Sequence, residues 1–275
     1  MSEENKTSGK KTSNTFELRG NISQEPIVND LSDGKKAVRL SVATNESYKK
    51  EDGTWGQMKP EYTRVNVTQP AQVKQILDAM AREDSPLKVG SQFAVTGALR
   101  KTSYEKDGQK RYASELVPTT KKGAVVTEFE PGDYKNINKV EMTGFVANEP
   151  EIRKARDGKE FLTMSVATDY GYKDKEGGFK NVTNYTDVTS FQPKAVEAAK
   201  AKIETGELGK GSLVSVMGRF QERQDGEKRY MNLQMKGGAE KFKVLEASKA
   251  NREAAAEEKK AKKKGRDDIG DEMPF

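Results

Sequence analysis

Two stretches of the chain mix aromatic rings with lysines in a way that suits unpaired nucleotides. In NESYKKEDGTWGQMKPEY, residues 45–62, the rings of Tyr48, Trp55 and Tyr62 lie among Lys49, Lys50 and Lys59. In DYGYKDKEGGFKNVTNY, residues 169–185, Tyr172, Phe179 and Tyr185 lie beside Lys173 and Lys180, with Tyr170 open to a packing role alone. Glycine-punctuated polar segments offer few apolar neighbours to cover a ring. Such a ring is placed to stack on an exposed base while the lysines meet phosphates. Duplex DNA presents no unstacked base faces, so the mixture points to single strands. The alternative is that the rings pack on the outside of their own fold or across a subunit interface.

A second pair of segments is basic in the same manner. LRKTSYEKDGQKRYAS carries Arg100, Lys101, Lys106, Lys110 and Arg111 around Tyr104. GRFQERQDGEKRYMN carries Arg219, Arg223, Lys228 and Arg229 with Phe220, and its tip has no aromatic counterpart of Tyr104. These side chains are candidates for phosphate contact through counterion release, with solvated surface as the alternative.

Other chemistry is excluded by what the composition lacks. The 275 residues contain no cysteine and no histidine, which removes thiolate chemistry, disulfides, a histidine base and the usual zinc ligands. GKGS at 209–212 lacks the glycine spacing of a phosphate-cradling loop. No enzyme, cofactor or metal site is expected. The net charge of +6 favours a polyanionic partner only weakly. No apolar run is long enough to span a membrane, and the opening MSEENKTSGKKTSN is polar, so a cytoplasmic protein with a disordered N-terminus is expected.

The elements that must carry these segments occur twice. FELRG at 16–20 recurs as VEMTG at 140–144, Pro26 as Pro150, Asp33-Gly34 as Asp157-Gly158, and SVAT at 41–44 unchanged at 165–168, all at a spacing of 124 residues. Further matches follow in order: Gln69-Pro70 with Gln192-Pro193, KVGSQFAVTG with GKGSLVSVMG, and DGQKRY with DGEKRY. Each copy is long enough to be a domain, so the pattern reads as tandem duplication. Within copy one, FELRGNI, AVRLSVAT, YTRVNVT, SQFAVTGALR and RYASELVP have strand patterning. Between the third and fourth, Val73, Ile76, Leu77 and Met80 mark a helix face; in copy two PKAVEAAKAKIETG takes that place, with Pro193 at the start and Gly206 and Gly209 at the end.

The expected fold is therefore all-β: two tandem five-stranded barrels of the oligonucleotide-binding (OB) type, each with a helix between strands three and four, flanked by disordered termini. A pair of open sandwiches fits the pattern as well. Gly20, Gly97, Gly144 and Gly218 fall inside strand signals, where a missing Cβ relieves crowding at a bend. The expected divisions are a disordered 1–13, a first domain at 14–122, a linker at 123–137, a second domain at 138–246, a basic linker at 247–266 and an acidic tip at 267–275.

Taken together, VRLSVATNESYKKEDGTW, PEYTRVNV and LRKTSYEKDGQKRY in copy one, and NKVEMTGFVANEPEIR, FLTMSVAT, KGSLVSVMGRF and DGEKRY in copy two, resemble the bacterial-type single-stranded DNA-binding proteins. The resemblance implies that Tyr48, Trp55, Tyr62 and Tyr104 in copy one and Tyr172, Phe179, Tyr185 and Phe191 in copy two stack on bases. Thr68 stands where copy two has Phe191, so the copies are expected to share DNA unequally. It implies a homodimer presenting four barrels. It also implies a role for the ending DDIGDEMPF, in which Asp267, Asp268, Ile269, Asp271, Glu272, Met273, Pro274 and Phe275 would recruit replication, recombination and repair proteins. A terminal ring can anchor in an apolar pocket while carboxylates meet basic residues. The lysine-rich run before the tip is expected to pair with it when DNA is absent. Two alternatives stay open: a scaffold or adaptor with weak nucleic-acid binding, and a single-stranded RNA-binding protein.

Overall fold

A computed structural model describes residues 12–31, 34–45, 47–50, 52–106, 108–118, 125–129, 135–173, 177–225, 228–237 and 239–248. Of residues 1–13, expected to be disordered, 1–11 lie outside the described residues and Ser13 begins a strand; most of the basic linker and the acidic tip also lie outside them.

Alternation of buried and outward side chains makes the strands of the first repeat: β1 (Ser13–Ile22), β2 (Ile27–Asp30), β3 (Lys36–Thr44), β4 (Ser47–Lys49), β5 (Trp55–Gln57), β6 (Glu61–Val67), β7 (Gln92–Lys106) and β8 (Gln109–Pro118). A short β9 (Val125–Val126) follows. The second repeat supplies β10 (Ile137–Val146), β11 (Glu151–Lys154), β12 (Glu160–Lys173), β13 (Phe179–Ser190), β14 (Leu213–Asp225), β15 (Lys228–Met235) and β16 (Phe242–Glu246). Helices α1 (Pro70–Met80) and α2 (Pro193–Glu204) stand between the third and fourth long strands of each repeat, as the periodicity predicts. Each opens on proline, whose missing N–H costs nothing in the first turn. α1 buries Val73 and Ile76, and α2 buries Ala195, Val196 and Ala199.

The expected pair of five-stranded barrels is corrected by the strand pairing. In each repeat five strands pair around in a ring, but the ring is not a barrel. The contact that would shut it is a single parallel pair, Val65↔Leu116, in the first repeat and three pairs, Asp187–Thr189 with Asn232–Gln234, in the second. So short a ladder leaves most of the facing backbone groups to other partners. Instead the strands run on from one repeat into the other as one 14-stranded sheet. Four short strands that the sequence does not signal, β2, β9, β11 and β16, add to it. Of these, β9 falls within the segment expected to be linker.

The seam is the antiparallel pairing of β1 with β10, from Ser13↔Thr143 to Arg19↔Ile137. Phe16 faces Val140, its own counterpart at the 124-residue spacing, so a local twofold relation passes through this pair. Asn14 and Asn138 tie the two seam strands back to their own repeats. Each lies just past the end of the ladder to its fourth long strand, and its carboxamide continues that ladder. Asn14 Nδ2 donates to Leu99 O at 3.1 Å, and Asn14 Oδ1 accepts from Leu99 N at 2.6 Å. Asn138 donates to Phe220 O and accepts from Phe220 N, both at 3.0 Å. The core is continuous across the seam, with Phe16 edge-on to Phe220 at 6.4 Å. At Gly20 and its counterpart Gly144 an added Cβ would stand 2.1 Å and 2.2 Å from a backbone carbonyl, as it would at Gly97 and Gly218, both 2.2 Å. Only glycine permits these strands to pass so close.

Candidate nucleic-acid interface

The repeated SVAT explains how the rings are presented. Val42 and Val166 are buried, while Ala43 and Ala167 lie on the other face, directly across from Tyr62 and Tyr185. An alanine opposite a tyrosine is too small to bury the ring. Tyr62 is 54% exposed and Tyr185 53%, so the two repeats offer matching rings at equivalent positions. Trp55 is 70% exposed on β5. Lys50 and Lys59 are exposed. The side chains of Tyr48, Lys49, Lys101, Tyr104, Lys106, Lys110, Arg111, Tyr172, Lys173, Phe179, Lys180, Arg223, Lys228 and Arg229 lie outside the described residues.

Strand parity adds two basic side chains that local composition does not flag. Arg39 and Arg64 share the outward face with Tyr62, since Arg39 is opposite Asn66, Ser41 opposite Arg64 and Ala43 opposite Tyr62. Counting alternate residues along AVRLSVAT and YTRVNV would have found both. The second repeat has Thr163 and Asp187 at those places, opposite Thr189 and Ser165. One face is thus positive beside its tyrosine and the other is not.

Three expected contacts have other surroundings. Arg219 is only 6% exposed. Its Nε and Nη2 donate to Gln234 Oε1 at 3.0 and 2.7 Å, and Nη1 reaches Met58 Sδ at 3.6 Å in the opposite repeat. The expectation of a phosphate contact there is corrected: the other repeat covers this outward position. Arg100 lies across the seam over the Tyr170 ring, 4.1 Å from its centroid. Burial holds its guanidinium below the ordinary arginine range, and the ring face receives a charge whose Nε has no hydrogen-bond partner among the described residues. Phe191, 39% exposed, stacks on Phe161 at 4.9 Å and 21°, which leaves less of its face for a base.

The hairpins that carry the rings differ in construction. In the second repeat the β12–β13 ladder runs unbroken from Leu162↔Ser190 to Lys173↔Phe179. In the first, the β3–β6 ladder ends at Thr44↔Glu61, and β4 with β5 forms a separate two-stranded sheet. Pro60 sits at the break; it has no N–H to extend the ladder. Among the described residues no acidic cluster could hold a metal ion, and no helix is long and apolar enough to cross a membrane.

Comparisons with known proteins agree with this arrangement. The model of the single-strand binding protein family matches residues 13–122 and 137–234. Single-stranded DNA-binding protein 1 of Xylella fastidiosa is 33% identical over 105 residues, which are 38% of this chain and 71% of that protein. The single-stranded DNA-binding protein of Deinococcus radiodurans is 34% identical over 84 residues, 30% of this chain and 26% of its own length. Wild-type single-stranded DNA binding protein from Thermus aquaticus superposes with a TM-score of 0.61 at 19% identity, over 86% of this chain and 94% of that one. The last is a likeness of fold.

Proposed function

The chain belongs to the single-strand binding protein family, and from that premise we infer that it binds single-stranded DNA without regard to sequence, protecting and organising it in replication, recombination and repair. It is a binding protein and not an enzyme. The observation that carries this reading is the pair of equivalent exposed rings, Tyr62 and Tyr185, joined by the exposed indole of Trp55. Stacking contributes roughly 1–3 kcal/mol per base and tolerates any base, because every base has a π face. Arg39 and Arg64 beside Tyr62, with Lys50 and Lys59 near Trp55, supply charge for the backbone. Tyr48, Tyr104, Tyr172 and Phe179 would extend the track along the hairpins.

Two further parts belong to the same proposal. The acidic tip, residues 267–275, recruits replication, recombination and repair proteins to coated DNA, with Phe275 as the apolar anchor and the carboxylates meeting a basic rim. Two chains associate as a homodimer, presenting four OB-like units in the cytoplasm.

Competition against a bound, labelled oligo(dT) tests the reading. Unlabelled single strands of mixed sequence should displace it about as well as oligo(dT) does, and a duplex of equal length should fail. Displacement by duplex, or by one base composition only, would overturn it.

A further inference from the structure

We propose that Arg219 of the second repeat is the positioning residue for the Trp55 hairpin of the first, so that one repeat sets how the other presents its indole to DNA. This rests on Trp55 being a base-stacking ring.

Among the described residues the hairpin makes no strand pairing with the rest of its own repeat. The β3–β6 ladder stops at Thr44↔Glu61, and among the described residues β4 and β5 pair with each other alone. A ring on a detached segment must surrender orientational freedom when it binds, unless the base of the segment is already fixed. Met58 and Glu61 bracket the break at Pro60, and both meet Arg219. Gln234 fixes Nε and Nη2 of the guanidinium through one oxygen, which aims Nη1 at Met58 Sδ, 3.6 Å away. Nη2 also stands 3.9 Å from Glu61 Oε1, and Gln221 donates to that same carboxylate oxygen at 3.3 Å. A planar fork held this way has one direction in which to reach, unlike a flexible ammonium.

Comparison of the repeats points the same way. Arg219 faces Gln234 across its ladder; the counterpart pair in the first repeat is Ala98 opposite Val117. The second hairpin continues an unbroken ladder and carries its own support. The arginine brace therefore occurs where the ladder is broken, and it is supplied from across the seam.

The test uses the whole protein, in which Trp55 is the sole tryptophan. Fluorescence anisotropy decay and acrylamide quenching of DNA-free protein should show freer motion of Trp55 in Arg219→Ala. The doubly substituted Met58→Ala, Glu61→Ala, which leaves the buried arginine in place, should show the same. Arg219→Ala should weaken oligo(dT) binding about three- to ten-fold in the parent and cost almost nothing further on a Trp55→Ala background. The slope of log affinity against log salt should not change, because no phosphate contact is lost. Unchanged Trp55 motion in both variants would overturn the proposal. So would a loss that adds in full to that of Trp55→Ala, or a slope reduced by about 1, the mark of a direct phosphate contact. If the parent protein fails to bind DNA, the stacking reading falls while the DNA-free measurement still decides for or against the brace.

Discussion

The two repeats share a pattern, and they present it differently. In the second, one continuous ladder carries the outward tyrosine and the hairpin beyond it. In the first, Pro60 interrupts that ladder, the Trp55 hairpin stands as a separate sheet, and the opposite repeat supplies its brace. The faces differ in charge as well: Arg39 and Arg64 share the outward face with Tyr62, whereas Thr163 and Asp187 take those places on the face of Tyr185. Duplication kept an exposed tyrosine at the equivalent place while the ladder and the charges around it diverged. The first repeat should accordingly carry the larger, more salt-sensitive share of DNA affinity.

The strongest way to break the comparison is to ask whether the repeats are separate at all. Phe16 lies on the local twofold axis against Phe220. Phe16→Ala should cost roughly 3–5 kcal/mol, as deletion of a buried ring does. Denaturant unfolding should remain a single transition at lower midpoint. A transition split in two, with one half unmoved, would show that the repeats fold independently.

Next in size are the rings. Trp55→Ala and Tyr62→Ala should each weaken oligo(dT) binding by roughly 1–3 kcal/mol, with little change in melting temperature. Tyr185→Ala should cost the lower part of that range, and Phe191→Ala less again, because its ring already stacks on Phe161. Titration of the four variants against one oligonucleotide checks the order.

A charge exchange sharpens the contrast directly. Arg64→Asp gives the first repeat the second's residue, and Asp187→Arg does the reverse. If each arginine neutralises one phosphate, the salt slope should fall by about 1 for the first change and rise by about 1 for the second. Equal slopes in all three proteins would place these residues off the DNA path.

The smallest effect concerns pH. Glu222 stands where the first repeat has Lys101, and burial pushes its carboxyl above the ordinary glutamate range. Folding therefore favours the protonated form. That contribution is complete below the ordinary range and is lost as pH rises through the raised value. Glu222→Gln should melt slightly higher than the parent at neutral pH, and the two melting curves should converge in acid.

Much of this was legible in the sequence, for identifiable reasons. FELRGNI, AVRLSVAT and YTRVNVT fall on β1, β3 and β6 because alternation with one buried face is a local signal. Pro70 and Pro193 begin the helices where a first turn tolerates them. The four strand glycines were visible as exceptions to strand composition, and the structure shows the carbonyl that each admits. What escaped was set by partners distant in the chain. Nothing local in β1 announces that it will pair with β10, and the failure of the rings to close depends on how few parallel contacts form. Arg219 and Arg100 have the composition of solvated hairpin residues; only the opposite repeat, folded over them, brings Met58 to the one and the Tyr170 ring to the other.

The most direct test of the account is a titration of Trp55 fluorescence with oligo(dT) and with duplex DNA, each at low and moderate salt. Oligo(dT) should quench the emission at stoichiometric concentrations, with an affinity that falls as salt rises, and duplex should leave it nearly unchanged at moderate salt. Equal quenching by duplex and single strands at moderate salt, or none by either, would contradict it.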